Sequence, residues 1–198
     1  MADYIYTQDW SHWIPAVWTN TIPLMKQRKN FLELGSYEGR SAVWTLENML
    51  EDGGCITCVD TWGGGEEHKQ LQLDIENVES RFDANIKLAK EKNPTKDVFK
   101  IKSTTYDALR YNALLTLGER FDFIYIDASH KAQDVLTDAV MAWPLLDKKG
   151  FMVFDDYMWG EPRDLLHRPK LAIDAFVNIF AEELEISYIG YQLIVRKK

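Results

Sequence analysis

Apolar residues recur along this chain in two alternating rhythms. Short unbroken runs at 31–34, 55–60, 98–102, 121–127 and 150–155 read as buried strands. Between them the spacing turns helical. Ala42, Val43, Leu46, Met49 and Leu50 mark one helix, and Leu71, Ile75, Val78, Phe82, Ile86 and Ala89 a longer one. Leu109, Leu114 and Leu117 mark a weaker one, Val135, Leu136, Ala139, Val140 and Trp143 another, and Ala172, Phe176, Val177, Phe180 and Leu184 the last. Strand alternating with helix predicts an α/β fold, a mostly parallel sheet with helices on both faces. Residues 186–195 read instead as two strands about a turn at Gly190 with no helix between them, so this pair is antiparallel.

Residues 1–29 form an expected helical cap on a Rossmann-like core at 30–198, the whole reading as one domain. Apolar positions 10, 13, 14, 17, 18, 21 and 25 are helically spaced, and Pro15 and Pro23 start or kink helices there. Its tyrosines and tryptophans belong to a helix packed beside the sheet or to an aromatic wall over a substrate. The 198 residues carry a net charge of −8, which disfavours nucleic acid and anionic membrane as partners. No run approaches the about 20 apolar residues of a membrane span, and Met1–Tyr4 lacks the basic start of a secretion signal. A cytoplasmic location is expected. Cys55 and Cys58 lie inside a strand run, which argues against a redox or zinc pair.

Chemistry enters at Phe31-Leu32-Glu33-Leu34-Gly35-Ser36-Tyr37-Glu38-Gly39. A strand reaches an acid, a glycine turn and a helix, and the next strand ends in Asp60, 25 residues after Gly35. That is how an open α/β sheet holds a nucleoside. Gly35 and Gly39 flank Tyr37, where a dinucleotide fingerprint needs a middle glycine, and no P-loop follows. Glu33 would repel phosphate and suit a cation. A ligand with an ammonium, a sulfonium and a ribose but no phosphate is S-adenosylmethionine. Gly35 and Ser36 are expected to offer backbone N–H groups to its carboxylate, Asp60 to accept both ribose hydroxyls, and Trp62 with the Ser103-Thr104 turn to flank its adenine.

Two further strands end in acid, at Asp127 and at Asp155-Asp156. In a parallel sheet both tips face one edge. Three converging carboxylates repel unless a cation sits among them, and oxygen ligands favour Mg²⁺. His130, three residues past Asp127, has the ordinary pKa of about 6.5 that suits a general base.

These residues resemble class I S-adenosylmethionine-dependent methyltransferases, and more narrowly a bacterial group that includes macrocin-type O-methyltransferases and cephalosporin hydroxylase-like proteins. The matching segments are QDWSHWIPAVW at 8–18, FLELGSYEGRSA at 31–42, ITCVDTWGG at 56–64, FDFIYIDASH at 121–130, FDDYMW at 154–159 and the final YIGYQLIV. The resemblance implies a seven-stranded sheet with an antiparallel last strand, metal ligands at Asp127, Asp155 and Asp156, and a base at His130, with Lys131 as a second candidate because related catechol enzymes carry a lysine where His130 stands. The expected activity is Mg²⁺-dependent O-methylation of a small hydroxylated molecule (a sugar, phenol or natural product), catalysed by His130 and Asp127. Acceptor choice is expected in 63–80, with a hinge at Gly63–Gly65, in 157–170 with Arg163, His167 and Arg168, and in the N-terminal aromatics. A homo-oligomer is compatible. The rival readings are a non-catalytic nucleoside-binding protein on the same fold and a nicotinamide-dependent oxidoreductase.

Overall fold

Seven strands form one sheet in this computed structural model, which describes residues 3–65, 68, 71–110, 120–160 and 164–198. The helical positions expected at Leu114 and Leu117, and Arg163, lie outside the described residues. The strands are β1 (Asn30–Leu34), β2 (Cys55–Asp60), β3 (Asp97–Lys102), β4 (Phe121–Ile126), β5 (Leu146–Phe154), β6 (Leu184–Ile189) and β7 (Leu193–Lys197), in spatial order β3-β2-β1-β4-β5-β7-β6. β1 pairs in parallel with β2 and β4, β2 with β3, and β4 with β5. β7 runs antiparallel to both β5 and β6, so it is the reversed strand that the terminal glycine turn predicts. The chain leaves β1 toward β2 and β3, then crosses back to β4. Its topological switch point therefore lies between β1 and β4.

Period-two alternation sorts the side chains onto two faces. Phe31, Phe123, Tyr125, Phe151 and Val153 pack beneath α1 (Ile14–Trp18), α2 (Arg40–Asn48) and α3 (Val78–Lys92). Leu32, Leu34, Ile124, Ile126, Met152 and Phe154 pack with α4 (Thr105–Arg110), α5 (Ala132–Ala142) and α6 (Pro169–Ile179). Every residue of β4 is buried, as its continuous apolar run requires. Among the described residues no helix is long and apolar enough to cross a membrane.

The N-terminal expectation divides. Pro15 and Pro23 do stand at helix starts, the second that of a 3-10 turn at Ile22–Leu24. Ile14 and Trp18 are fully buried, and the Trp18 indole donates to Gln192 Oε1 at 2.8 Å. Residues 4–9 are not helical, because core side chains take their backbone groups. Asn85 bonds both the N–H and the C=O of Ile5 at 2.8 Å. Glu38 accepts from Thr7 N at 2.6 Å and Thr7 Oγ1 at 2.7 Å. The segment is an extended strap across α2 and α3.

The long helix expected from Leu71 begins only at Val78. Asp74 binds Asn77 and Arg81 ahead of the first turn, and Ile75 lies against Gly64, so the chain bends before it can wind. β5 starts at Leu146, earlier than the apolar run indicates, with an irregular register opposite Phe121 and Phe123. Cys55 and Cys58 are free thiols three positions apart on β2, hence on opposite faces. Burial pushes the Cys58 thiol up, so it is an inert core group.

Candidate active site

The carboxyl ends of β1, β2, β4 and β5 open onto a cleft of about 1170 Å³. Single-ligand pockets run to about 1,000 Å³, so this cleft has room for a nucleoside cofactor and an acceptor together. Its floor is the glycine turn. Gly35 adopts φ +89°, and a Cβ there would overlap the Asp127 carbonyl oxygen and come within 2.7 Å of Ala128 Cα. Gly39, at φ +78°, is not on the cleft wall. A Cβ there would lie 2.9 Å from Phe82, so this glycine permits close packing of α2 on α3.

Several expected cofactor contacts are engaged within the protein. Gly35 N donates to Val59 O at 2.8 Å, and Ser36 N and Tyr37 N donate to Asp60 Oδ2 at 2.8 and 2.9 Å. The Gly35 and Ser36 amides, expected to serve a ligand carboxylate, are thus engaged within the protein. Asp60 Oδ1 accepts from Trp62 N at 2.7 Å. With three of its about four acceptor positions taken, Asp60 has room for one ribose hydroxyl, not two.

Glu33 lies below the cleft rather than on its wall. It is 1% exposed, accepts from Ser36 Oγ at 2.7 Å and from Ser41 Oγ, and receives the Cys58 thiol at 3.5 Å. Burial raises it to about 7 against the pull of the two serine hydroxyls. Trp62 reaches the cleft, but its ring packs on Phe82 at 4.8 Å and under Lys100 at 4.6 Å. Ser103 and Thr104 line the cleft, while the Thr104 hydroxyl caps α4 by accepting from Asp107 N at 3.1 Å.

The structure brings Asp127, Asp155 and Asp156 to one end of the cleft, together with His130. The Tyr125 hydroxyl touches Asp127 Oδ2 at 2.9 Å and also Asp155 Oδ2. One phenol proton satisfies one carboxylate, so the second oxygen contact demands another proton or a cation. Burial and the Asp155 and Asp156 charges push Asp127 up, and burial with the Asp156 charge raises Asp155 to about 7. Asp156 is differently placed, with Oδ2 2.7 Å from His130 Nε2 and Oδ1 accepting from Tyr191 at 2.9 Å. Among the described residues no three His, Cys, Asp or Glu side chains form a ready metal cage. Asp127 and Asp155 are a paired oxygen donor set that suits a hard cation, and Asp156, which bonds His130 and Tyr191 through one contact on each oxygen, keeps acceptor positions that can join it.

Aromatic rings line the cleft. Trp159 lies 4.2 Å from His130, Trp13 lies 4.8 Å from Tyr191, and Tyr37 stacks on His68 at 5.2 Å beside Trp10. Trp10 and Trp13 thus line the cleft, while Trp18 belongs to the core. Gly64, Gly65, His68, Leu71 and Ile75 reach the cleft from the expected acceptor segment, and so do Lys131 and His167. His167 Nδ1 pairs with Asp164 at 2.5 Å. Arg168 is off the wall.

Sequence reading missed Arg40, Tyr125, Tyr191 and Asp138. Asp138 is 2% exposed on the cleft wall, raised by burial to about 7. A carboxylate on the apolar face of α5, three residues from Val135 and one from Ala139, was the available signal.

A mostly parallel sheet closed by one reversed strand, with an acid-lined cleft at its switch point, defines a nucleoside-cofactor methyltransferase fold. A family model described as a methyltransferase domain matches residues 32–157, and the chain belongs to that family. The O-methyltransferase hkm8 of Aspergillus hancockii is 25% identical over 181 residues, 87% of this chain and 64% of that protein. A protein of Acanthamoeba polyphaga mimivirus is 37% identical over 57 residues, 29% of this chain and 26% of its own length. The chain thus spans less than two thirds of these curated relatives. Among solved structures, the O-methyltransferase from Bacillus cereus in complex with SAH superposes with a TM-score of 0.67 at 19% identity, covering 98% of this chain and 84% of that one. The MycE methyltransferase with Mg and SAH gives 0.60 at 15% identity, covering 96% and 51%. At these identities the structural likeness is one of fold.

Proposed function

We propose that this chain transfers a methyl group from S-adenosylmethionine to a hydroxyl of a small molecule, with Mg²⁺ held by Asp127, Asp155 and Asp156. The observation that carries the reading is the Tyr125–Asp127–Asp155 cluster, a buried set of oxygens short of positive charge, at the head of a cleft large enough for cofactor and acceptor. The Mg and SAH of the MycE complex, and the O-methyltransferase names of hkm8 and the Bacillus cereus protein, support it. Tyr37, at the position where a pyrophosphate needs glycine, speaks against a nicotinamide cofactor.

When bound, the cofactor supplies an electrophilic sulfonium methyl and the cation lowers the pKa of an acceptor hydroxyl. The chain does the rest. Asp60 takes a ribose hydroxyl, and the Ser103-Thr104 turn borders the base. Asp156 pairs with Nε2 of His130 and Trp159 packs against the ring, and together they orient the imidazole that receives the acceptor proton. Trp13, Tyr191 and Trp159 close the acceptor end against water. Holding donor and acceptor in line is the main contribution, on a scale of about 7–11 kcal/mol for well-oriented reactants.

The test is methyl transfer from radiolabelled S-adenosylmethionine to a panel of vicinal diols and phenols, with Mg²⁺ and with chelator. Label in an acceptor that disappears with chelator supports the reading. Equal transfer in both, or binding of NAD instead of SAH, contradicts it.

A further inference from the structure

The structure assigns Arg40 as the anchor for the carboxylate of the cofactor's methionine end, an inference that rests on the cofactor reading above. That end of S-adenosylmethionine is a zwitterion, and its carboxylate needs donors inside the cleft. The amides of Gly35, Ser36 and Tyr37 are all engaged by Val59 and Asp60. Gly39 N donates to Ser36 O at 2.7 Å. No backbone donor of those four residues is left to serve.

Arg40 is the first residue of α2 and lines the cleft beside Ser36, Tyr37 and Ser41. Its guanidinium carbon sits 4.4 Å over the Tyr6 ring, which holds the plane in place. Nη1 pairs with Asp9 Oδ1 at 2.7 Å. Nε is buried and has no hydrogen-bond partner among the described residues. Nε with a neighbouring Nη is the side-on fork that grips carboxylates, and an arginine with that edge unsatisfied fits one. Asp9, 65% exposed on the N-terminal strap, supplies a carboxylate to the same guanidinium from the solvent side. The strap and the cofactor therefore meet on one arginine. Lys131 also lines the cleft, but from the loop after β4, on the far side of the switch point.

Calorimetric titration with two ligands tests this. SAH carries the amino-acid end, and 5′-methylthioadenosine lacks it. Arg40→Leu is expected to weaken SAH about ten- to a hundredfold, as loss of a charge-assisted bond implies, while 5′-methylthioadenosine stays within about twofold. Arg40→Lys recovers part of the loss. Asp9→Asn removes the rival carboxylate and keeps or tightens SAH binding. Unchanged SAH affinity in Arg40→Leu overturns the assignment. So does equal weakening of both ligands, or a loss in Asp9→Asn matching that of Arg40→Leu, since the pair would then only tie down the strap. A wild-type protein that binds neither ligand overturns the cofactor reading, and this assignment with it.

Discussion

Gly35 and Asp127 meet backbone to backbone where β1 and β4 part, and nothing larger than a hydrogen fits between them. The contact brings the glycine turn against the first of the acids. Gly35→Ala combines a disfavoured φ with direct overlap and should cost about 2–5 kcal/mol of stability. Urea denaturation reads this directly, and an unshifted midpoint would count against the geometry.

Glu33 makes stability depend on pH in a direction opposite to that of a salt-bridged acid. Its folded pKa of about 7 lies above the ordinary 4.5, so the folded state holds the proton more tightly. Its contribution is fully present below about 4.5 and is lost as pH rises through about 7, a change on the order of 3 kcal/mol. Glu33→Gln keeps an acceptor for Ser36 and Ser41 without the charge. Compared by denaturation at pH 5 and pH 8, the variant should gain on the wild type at the higher pH. A constant difference between the two pH values would show that burial does not hold the proton there.

The N-terminal strap is tied by Asn85, a buried side chain that also donates to Glu38 O at 2.9 Å. Asn85→Ala strips Ile5 of both its partners. Hydrogen exchange at Ile5 and Thr7 should accelerate while amides of β1 and β4 stay protected. The local loss is about 1–3 kcal/mol. Unchanged exchange at Ile5 would mean that the strap is held by other contacts.

His130 and Asp156 should separate chemistry from cofactor binding. His130→Gln lowers turnover of a responsive acceptor by about 10²–10⁴ while SAH affinity stays within about twofold. Asp156→Asn, which disturbs both the His130 orientation and the cation donor set, falls at least as far. Loss of SAH affinity in His130→Gln would place this residue in the cofactor site instead.

The sheet was legible because its cues are local. Apolar runs ending in acid located β1, β2, β4 and β5, Gly190 located the reversal into β7, and Pro15 and Pro23 located two short helices. Membership of the cleft was legible for Asp60, Asp127, His130, Asp155 and Asp156, since parallel strand tips share an edge. What each polar group binds was not legible. Period two places Glu33 on the α2 face but does not reveal Ser41 eight residues on. Asn85 captures Ile5 across 80 positions, so no local pattern betrays the strap. The glycine turn offers the Gly35 and Ser36 amides to a ligand, but Val59 takes the first and Asp60 turns inward to take the second. Arg40 acquires meaning only once those donors are known to be engaged.

A crystal structure of the full chain grown with SAH and Mg²⁺ tests the central claim most directly. The nucleoside should lie between Asp60 and the Ser103-Thr104 turn, its sulfur aimed at the space between Asp127 and His130, with one cation touching Asp127 and Asp155. A nucleoside bound elsewhere, or these aspartates without a cation while the cofactor is in place, would contradict it.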